Sequence, residues 1–220
     1  MNEGRFWTVA LLSASVISLE ILWTRIFSAE FFYTFAFLIL SFAVLGLGLG
    51  ALSLRLVPVL DRKENAGMIL LLSSLAGLLG PALVLRLDLE FAKVYKEPAM
   101  AAKLVLALLI VAAPYFLAGA ALAGIFKRNS GDMPRLYMWD LVGAGLGAAL
   151  CVLAMNTAGV PSTAVLACAP LAAASVLATG RLRWMHAALA ALMAVAAVFA
   201  GPLTETSRKE MGPVIHRRWD

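Results

Sequence analysis

The chain has 220 residues, of which 62% are hydrophobic and only 14% charged, and its formal net charge is +5. Water-soluble domains run at roughly 45–50% apolar and about 25% charged, so a soluble globule, and with it a soluble enzyme, is excluded. The 18 Lys and Arg residues fall almost entirely between apolar runs and are not interleaved with stacking aromatics, which points to lipid headgroups and away from nucleic acid.

Seven apolar runs are long enough, at about 1.5 Å per residue, to cross a hydrocarbon layer of about 30 Å. They lie at about 7–27, 34–57, 66–85, 104–126, 137–157, 161–179 and 184–201. Continuous apolar runs without period-2 alternation exclude a barrel, so the predicted fold is an all-α polytopic transmembrane helix bundle of about seven spans. The last two runs are Ala-rich and short, so six spans and an interfacial helix is the alternative. The predicted domains are a transmembrane part, residues 1–201, and a polar tail, residues 202–220.

The first run carries Glu20 and Arg25 near its end where a cleavable signal would have a small-residue site, so it is expected to stay in the chain. An acid at membrane depth costs at least about 2.5 kcal/mol unless paired, protonated or near water. Glu20 and Arg25 are five residues apart and off one another's face. Trp23, Tyr33, Tyr137, Trp139 and Trp184 lie near run ends, where amphipathic rings prefer the headgroup level.

The second run contains LGLGLGAL, with Gly46, Gly48 and Gly50, and the fifth contains DLVGAGLGAAL, with Gly143, Gly145 and Gly147. A nucleotide-binding turn needs a strand before the glycines and a helix starting after them, and the flanks here are single apolar runs. As helix, Gly46 and Gly50, like Gly143 and Gly147, share one face and form small-xxx-small packing surfaces. Gly77, Gly80, Gly119 and Ala123 extend the pattern. The alternative is a broken helix lining a substrate path.

In the fourth run Pro114, preceding Tyr115, predicts a kink and a carbonyl in need of a donor. Asp140 opens the fifth run. Two readings stand for the ionisable groups. In one, Glu20, Arg25, Tyr115 and Asp140 form a polar cavity that binds substrate or carries protons. In the other, Asp140 caps the fifth span and Glu20 and Arg25 make a structural ion pair. Cys151 and Cys168 lie inside runs without CxxC spacing and are expected to be packing residues. His186 is expected to be interfacial. No catalytic or metal-binding constellation is visible, and no cofactor is expected on these residues.

A cytoplasmic amino terminus places Arg5, Arg55, Arg62, Lys63, Lys127, Arg128, Arg135, Arg181 and Arg183 inside, against Arg25, Arg86, Lys93, Lys96 and Lys103 outside. The short loops therefore favour an inward amino terminus. With seven spans the tail, carrying Arg208, Lys209, Arg217 and Arg218, falls outside and evens the tally.

LEILWTRIFS, FFYTFAFLILSFAVLGLGLGAL, PYFLAGAALAGIF and LYMWDLVGAGLGAAL, in this order, resemble the amino-terminal membrane region of bacterial spermidine synthase-like proteins over residues 15–160. The resemblance implies an inner-membrane location and a soluble aminopropyltransferase-like domain, fused or associated, for which KEMGPVIHRRWD looks like the entry. It assigns no active-site residue to this chain. Thr34, in FYTFAF, departs from the family pattern, which has histidine there. There is also a distant likeness to half of a major-facilitator transporter, with RLVPVLDRKENAG as the basic loop after the second span but without the glycine and acidic spacing of that signature. A transporter half or small-solute permease is thus the second functional expectation.

Overall fold

The computed structural model describes residues 3–30, 34–90, 93–179, 184, 186–188 and 191. Among them the regular structure is helical. The long helices are α1 (Gly4–Glu30), α2 (Thr34–Leu56), α3 (Ala66–Leu85), α4 (Pro98–Arg128) and α5 (Met133–Ala178). Five stretches of the described residues are long and apolar enough to cross a membrane, the last being Ser130–Val160; a shorter apolar helix, Ser162–Ala178, follows. The expected seventh run lies almost wholly outside the described residues.

α5 is two rods joined at Gly159, whose φ of 77° and ψ of 169° are open only to glycine. Pro161, two residues on, cannot donate to a continuing ladder, so one 46-residue helix becomes two shorter ones. Gly159→Ala is expected to lose about 1–3 kcal/mol of stability, the usual cost of forcing a side chain into such a region. Thermal unfolding in detergent checks this, and an unchanged midpoint would mean that the joint relaxes freely.

α1 packs along α5, α2 lies along α4, α3 bridges α4 and α5, and α2 closes back on α1. The distribution of side chains is inverted relative to a soluble protein. Phe37, Val44, Leu49 and Leu52 on α2, and Leu141, Leu146, Leu150 and Leu153 on α5, are exposed. Ser13, Ser15, Ser18, Ser73, Ser74 and Ser175 are buried. An apolar exterior of this extent is untenable in water, and lipid is the medium that accommodates it.

Backbone contact holds both main seams. A Cβ added to Gly143 or Gly147 would collide with the backbone of Ala10 or Ala14 on α1. One added to Gly46 would lie 2.8 Å from the Ala112 carbonyl oxygen, and at Gly50 or Gly119 it would strike the backbone of Phe116 or Leu47. The middle glycine of each triad, Gly48 and Gly145, has nothing within 4 Å.

Serine hydroxyls staple α1 to α5 and α3 to both α4 and α5. Ser18 Oγ donates to the Gly147 carbonyl at 3.0 Å, Ser74 Oγ to Cys168 at 3.0 Å, Ser73 Oγ to Pro114 at 2.7 Å, and Ser15 Oγ to Ala167. In hydrocarbon such side-chain bonds are each worth about 0.6 kcal/mol on average, and up to about 1.7. Cys151 and Cys168 are both buried free thiols, and Cys151 Sγ lies 3.4 Å from the Ser18 carbonyl. α4 continues through Pro114, whose carbonyl takes the Ser73 bond.

Four sequence expectations are corrected. Trp23 is fully buried, not interfacial, because Gly80 on the facing helix leaves room for its ring, 2.5 Å from where a Cβ would be. Asp140 does not cap the fifth span: Pro134 in the first turn lets the helix begin at Met133, seven residues earlier, with Asp132 at the N-cap position. Glu20 and Arg25 form no ion pair, as a separation of 500° around the helix dictates at about 100° per residue. His186 is buried, with Nδ1 3.1 Å from Ser175 Oγ. Of the remaining aromatic anchors, Tyr137 and Trp184 are exposed, Trp139 packs on Trp7 with ring centroids 4.8 Å apart, and Tyr33 lies outside the described residues.

Candidate functional site in the bundle core

The centre of the bundle is aromatic and polar at once. Trp23 from α1 stands edge-on to Phe27 at 6.0 Å and to Tyr115 at 5.9 Å between ring centroids. Tyr115 is delivered by α4, one residue past Pro114, at the level where Ser73 anchors that helix to α3. Both Trp23 and Tyr115 are fully buried. The indole N–H and the phenol oxygen have no hydrogen-bond partner among the described residues. A buried polar atom without a partner costs about 1–3 kcal/mol, and such groups are where ligands and protons find footholds.

Glu20 lies half-buried on α1, one turn before Trp23. A phenol and an indole N–H without partners among the described residues thus stand on adjoining rings in the core, with a half-buried carboxyl one helical turn away on α1. Together they can accept and donate hydrogen bonds or hold a proton.

Of the four ionisable or polar residues singled out in the sequence, Glu20 and Tyr115 belong to the middle of the bundle, and Asp140 and Arg25 lie toward its two ends. Asp140 accepts a hydrogen bond from Ser13 Oγ across the α1–α5 seam, two helical turns toward the amino-terminal end from Glu20. Arg25 is exposed and lines a cavity of about 760 Å³ at the opposite end, with Thr24, Ser28 and Asn156. Trp23 belongs to the core cluster although its sequence position suggested an anchor. Among the described residues no group of three or more His, Cys, Asp or Glu side chains could hold a metal ion.

Among the described residues the amino-terminal end of the bundle carries most of the ion pairs. Arg5 joins Asp132 and donates to Asn129 Oδ1 at 2.6 Å, tying α1 to the turn before α5. Asp61, in the loop after α2, receives Lys127 Nζ at 2.6 Å and Arg128 at 3.7 Å from the end of α4. The Lys127 hydrogen bond, followed by the charges of Lys127 and Arg128, holds the Asp61 carboxyl below its ordinary range. At the other end Glu90 pairs with Lys93 at 2.8 Å and raises the lysine above its usual value.

Comparison of the chain with protein-family models, curated proteins and solved structures finds no match.

Proposed function

We propose that this chain is the membrane domain of a spermidine synthase-like protein. In this reading it lies in the bacterial inner membrane with its amino terminus in the cytoplasm, and holds or feeds an aminopropyltransferase-like catalytic domain that is fused to it or separately encoded. Three of the four strings that resemble that family carry the seam glycines of α2, α4 and α5. The observation that carries the reading is the close approach of backbones along both seams, reinforced on the α1–α5 seam by serine hydroxyls. Such packing suits a rigid anchor. The amino-terminal end bears seven basic side chains among the described residues, Arg5, Arg55, Arg62, Lys63, Lys127, Arg128 and Arg135, which favours the cytoplasmic side for it.

A second reading, a transporter half or small-solute permease, is favoured by one observation, the buried Tyr115 hydroxyl and Trp23 indole N–H, both without a partner among the described residues, on adjoining rings one turn from Glu20. Isolation of the tagged protein from native membranes in mild detergent separates the two. For the anchor, a nucleoside-binding polypeptide accompanies the bundle and transfers aminopropyl groups from decarboxylated S-adenosylmethionine to a diamine. Tyr115→Phe is then expected to leave that rate within about twofold, since removing an unpaired hydroxyl costs a packed core little. Purified bundles without transferase activity, whose proteoliposomes take up solute at least about tenfold more slowly with Glu20→Gln, would replace the first reading by the second.

A further inference from the structure

Four helix ends enclose a basic cavity at the amino-terminal end of the bundle. It measures about 280 Å³ and is walled by Arg5 and Thr8 of α1, Lys63 just before α3, Arg128 and Asn129 at the end of α4, and the apolar end of α5. Three cationic side chains line it and no carboxylate does. Asp61 and Asp132 hold Arg128 and Arg5 from the flanks, so they orient the guanidinium groups without occupying the cavity.

Lys63 and Arg128 retain accessible donors, and Arg5 adds its charge. Arg5 commits Nη1 to Asn129 and Nη2 to Asp132, while its Nε–H is buried with no acceptor among the described residues. Lys63 is exposed and takes part in none of the ion pairs of the described residues. Arg128 folds back over Gly124, where an added Cβ would lie 3.1 Å from Nη1. That glycine is the recess in which the guanidinium rests. The helix starts near Gly4 and Ala66 add their own positive ends to the cavity.

Depth specifies the ligand class. α1 has 27 residues, about 40 Å at 1.5 Å each, against a hydrocarbon layer of about 30 Å, so it outreaches that layer, and the charged Arg5 with its partner Asp132 favours the headgroup layer for its first turn. The volume is that of roughly nine waters at about 30 Å³ each, enough for a phosphate ester and too small for a folded partner. We infer that this cavity binds a phosphate-bearing anion, with Arg5, Lys63 and Arg128 as its cationic contacts. The same chemistry serves an anionic phospholipid headgroup and a free phosphate from the aqueous side.

The test uses the whole chain, delipidated and reconstituted in phosphatidylcholine nanodiscs. In one arm inorganic phosphate is titrated against chloride and the thermal midpoint is read. In the other, phosphatidylglycerol is included and the tightly held lipid is counted by native mass spectrometry. A phosphate-dependent rise in midpoint identifies a free-anion site, and retained phosphatidylglycerol identifies a headgroup site; either supports the inference. Lys63→Gln combined with Arg128→Gln is expected to weaken the positive arm at least about tenfold, and Gly124→Leu, which displaces the guanidinium without changing charge, to act in the same direction. Arg55→Gln with Arg62→Gln removes equal charge from the same end outside the cavity and should change it by less than about twofold. Should the double variant fail to fold, Lys63→Gln alone is read in its place. Equal losses in site and control variants, or no anion effect in either arm, would overturn the inference.

Discussion

Gly147→Leu is expected to cost on the order of 3–5 kcal/mol, a large fraction of the roughly 5–15 kcal/mol that holds an ordinary fold together. Overpacking a core usually costs about 1–3 kcal/mol because side chains can move aside. Here the obstacle is the Ala14 backbone, which has no other rotamer to adopt. α1 and α5 must separate, and the Ser18 bond to the Gly147 carbonyl and the Ser15 bond to the Ala167 carbonyl go with them. At about 0.6 kcal/mol each, the hydrogen bonds are the smaller part of the loss; forfeited van der Waals attraction along the seam is the larger. Gly145→Leu is the control, because nothing lies within 4 Å of that position and its side chain would join the lipid-facing surface. It should shift stability by no more than about 0.5 kcal/mol. Gly50→Leu against Gly48→Leu repeats the contrast on the α2–α4 seam. Unfolding in mixed micelles, followed by helical circular dichroism, reads all four. Equal effects of Gly145→Leu and Gly147→Leu would mean that the alternate glycines do not divide into packed and lipid-facing sets.

The parts of this fold that are legible in the sequence are those with a short range. Runs of apolar residues announce the rods, and the i, i+4 spacing of Gly46 with Gly50 and of Gly143 with Gly147 assigns each pair to one face. The joint at Gly159 lies in the gap between the predicted fifth and sixth runs, where glycine and Pro161 stand two residues apart. What depends on a partner helix is not legible. Trp23 reads as an anchor by position, and only Gly80 of α3 reveals that its ring goes inward. The buried serines look incidental until the facing carbonyls are known, although serine inside a long apolar run is itself a signal for interhelical bonding. The basic cavity is built from residues near positions 5, 63, 128 and 177, a set no local pattern could assemble.

The second large effect is expected at Trp23, and it separates the core role of this side chain from the interfacial role its sequence position suggests. Trp23→Ala removes a fully buried ring whose edge fills the recess over Gly80 and which stands against Phe27 and Tyr115. Large-to-small changes of an aromatic in a core cost about 3–5 kcal/mol, of which part is transfer from water. That part shrinks in a bilayer, where the unfolded reference is itself in hydrocarbon, but the dispersion attraction forfeited by the walls of the void is undiminished. A loss of about 2–4 kcal/mol follows. Trp23→Phe keeps much of the volume and also removes an indole N–H that has no partner among the described residues, so the two effects oppose and the net loss should stay under about 1.5 kcal/mol. An interfacial tryptophan would behave differently: its truncation changes depth and tilt more than stability, and phenylalanine would not rescue the headgroup hydrogen bond. Chemical unfolding of the three proteins in one detergent distinguishes the cases. A Trp23→Ala variant as stable as the parent would place the ring at the membrane surface, and the core around Tyr115 and Glu20 would have to be reassembled without it.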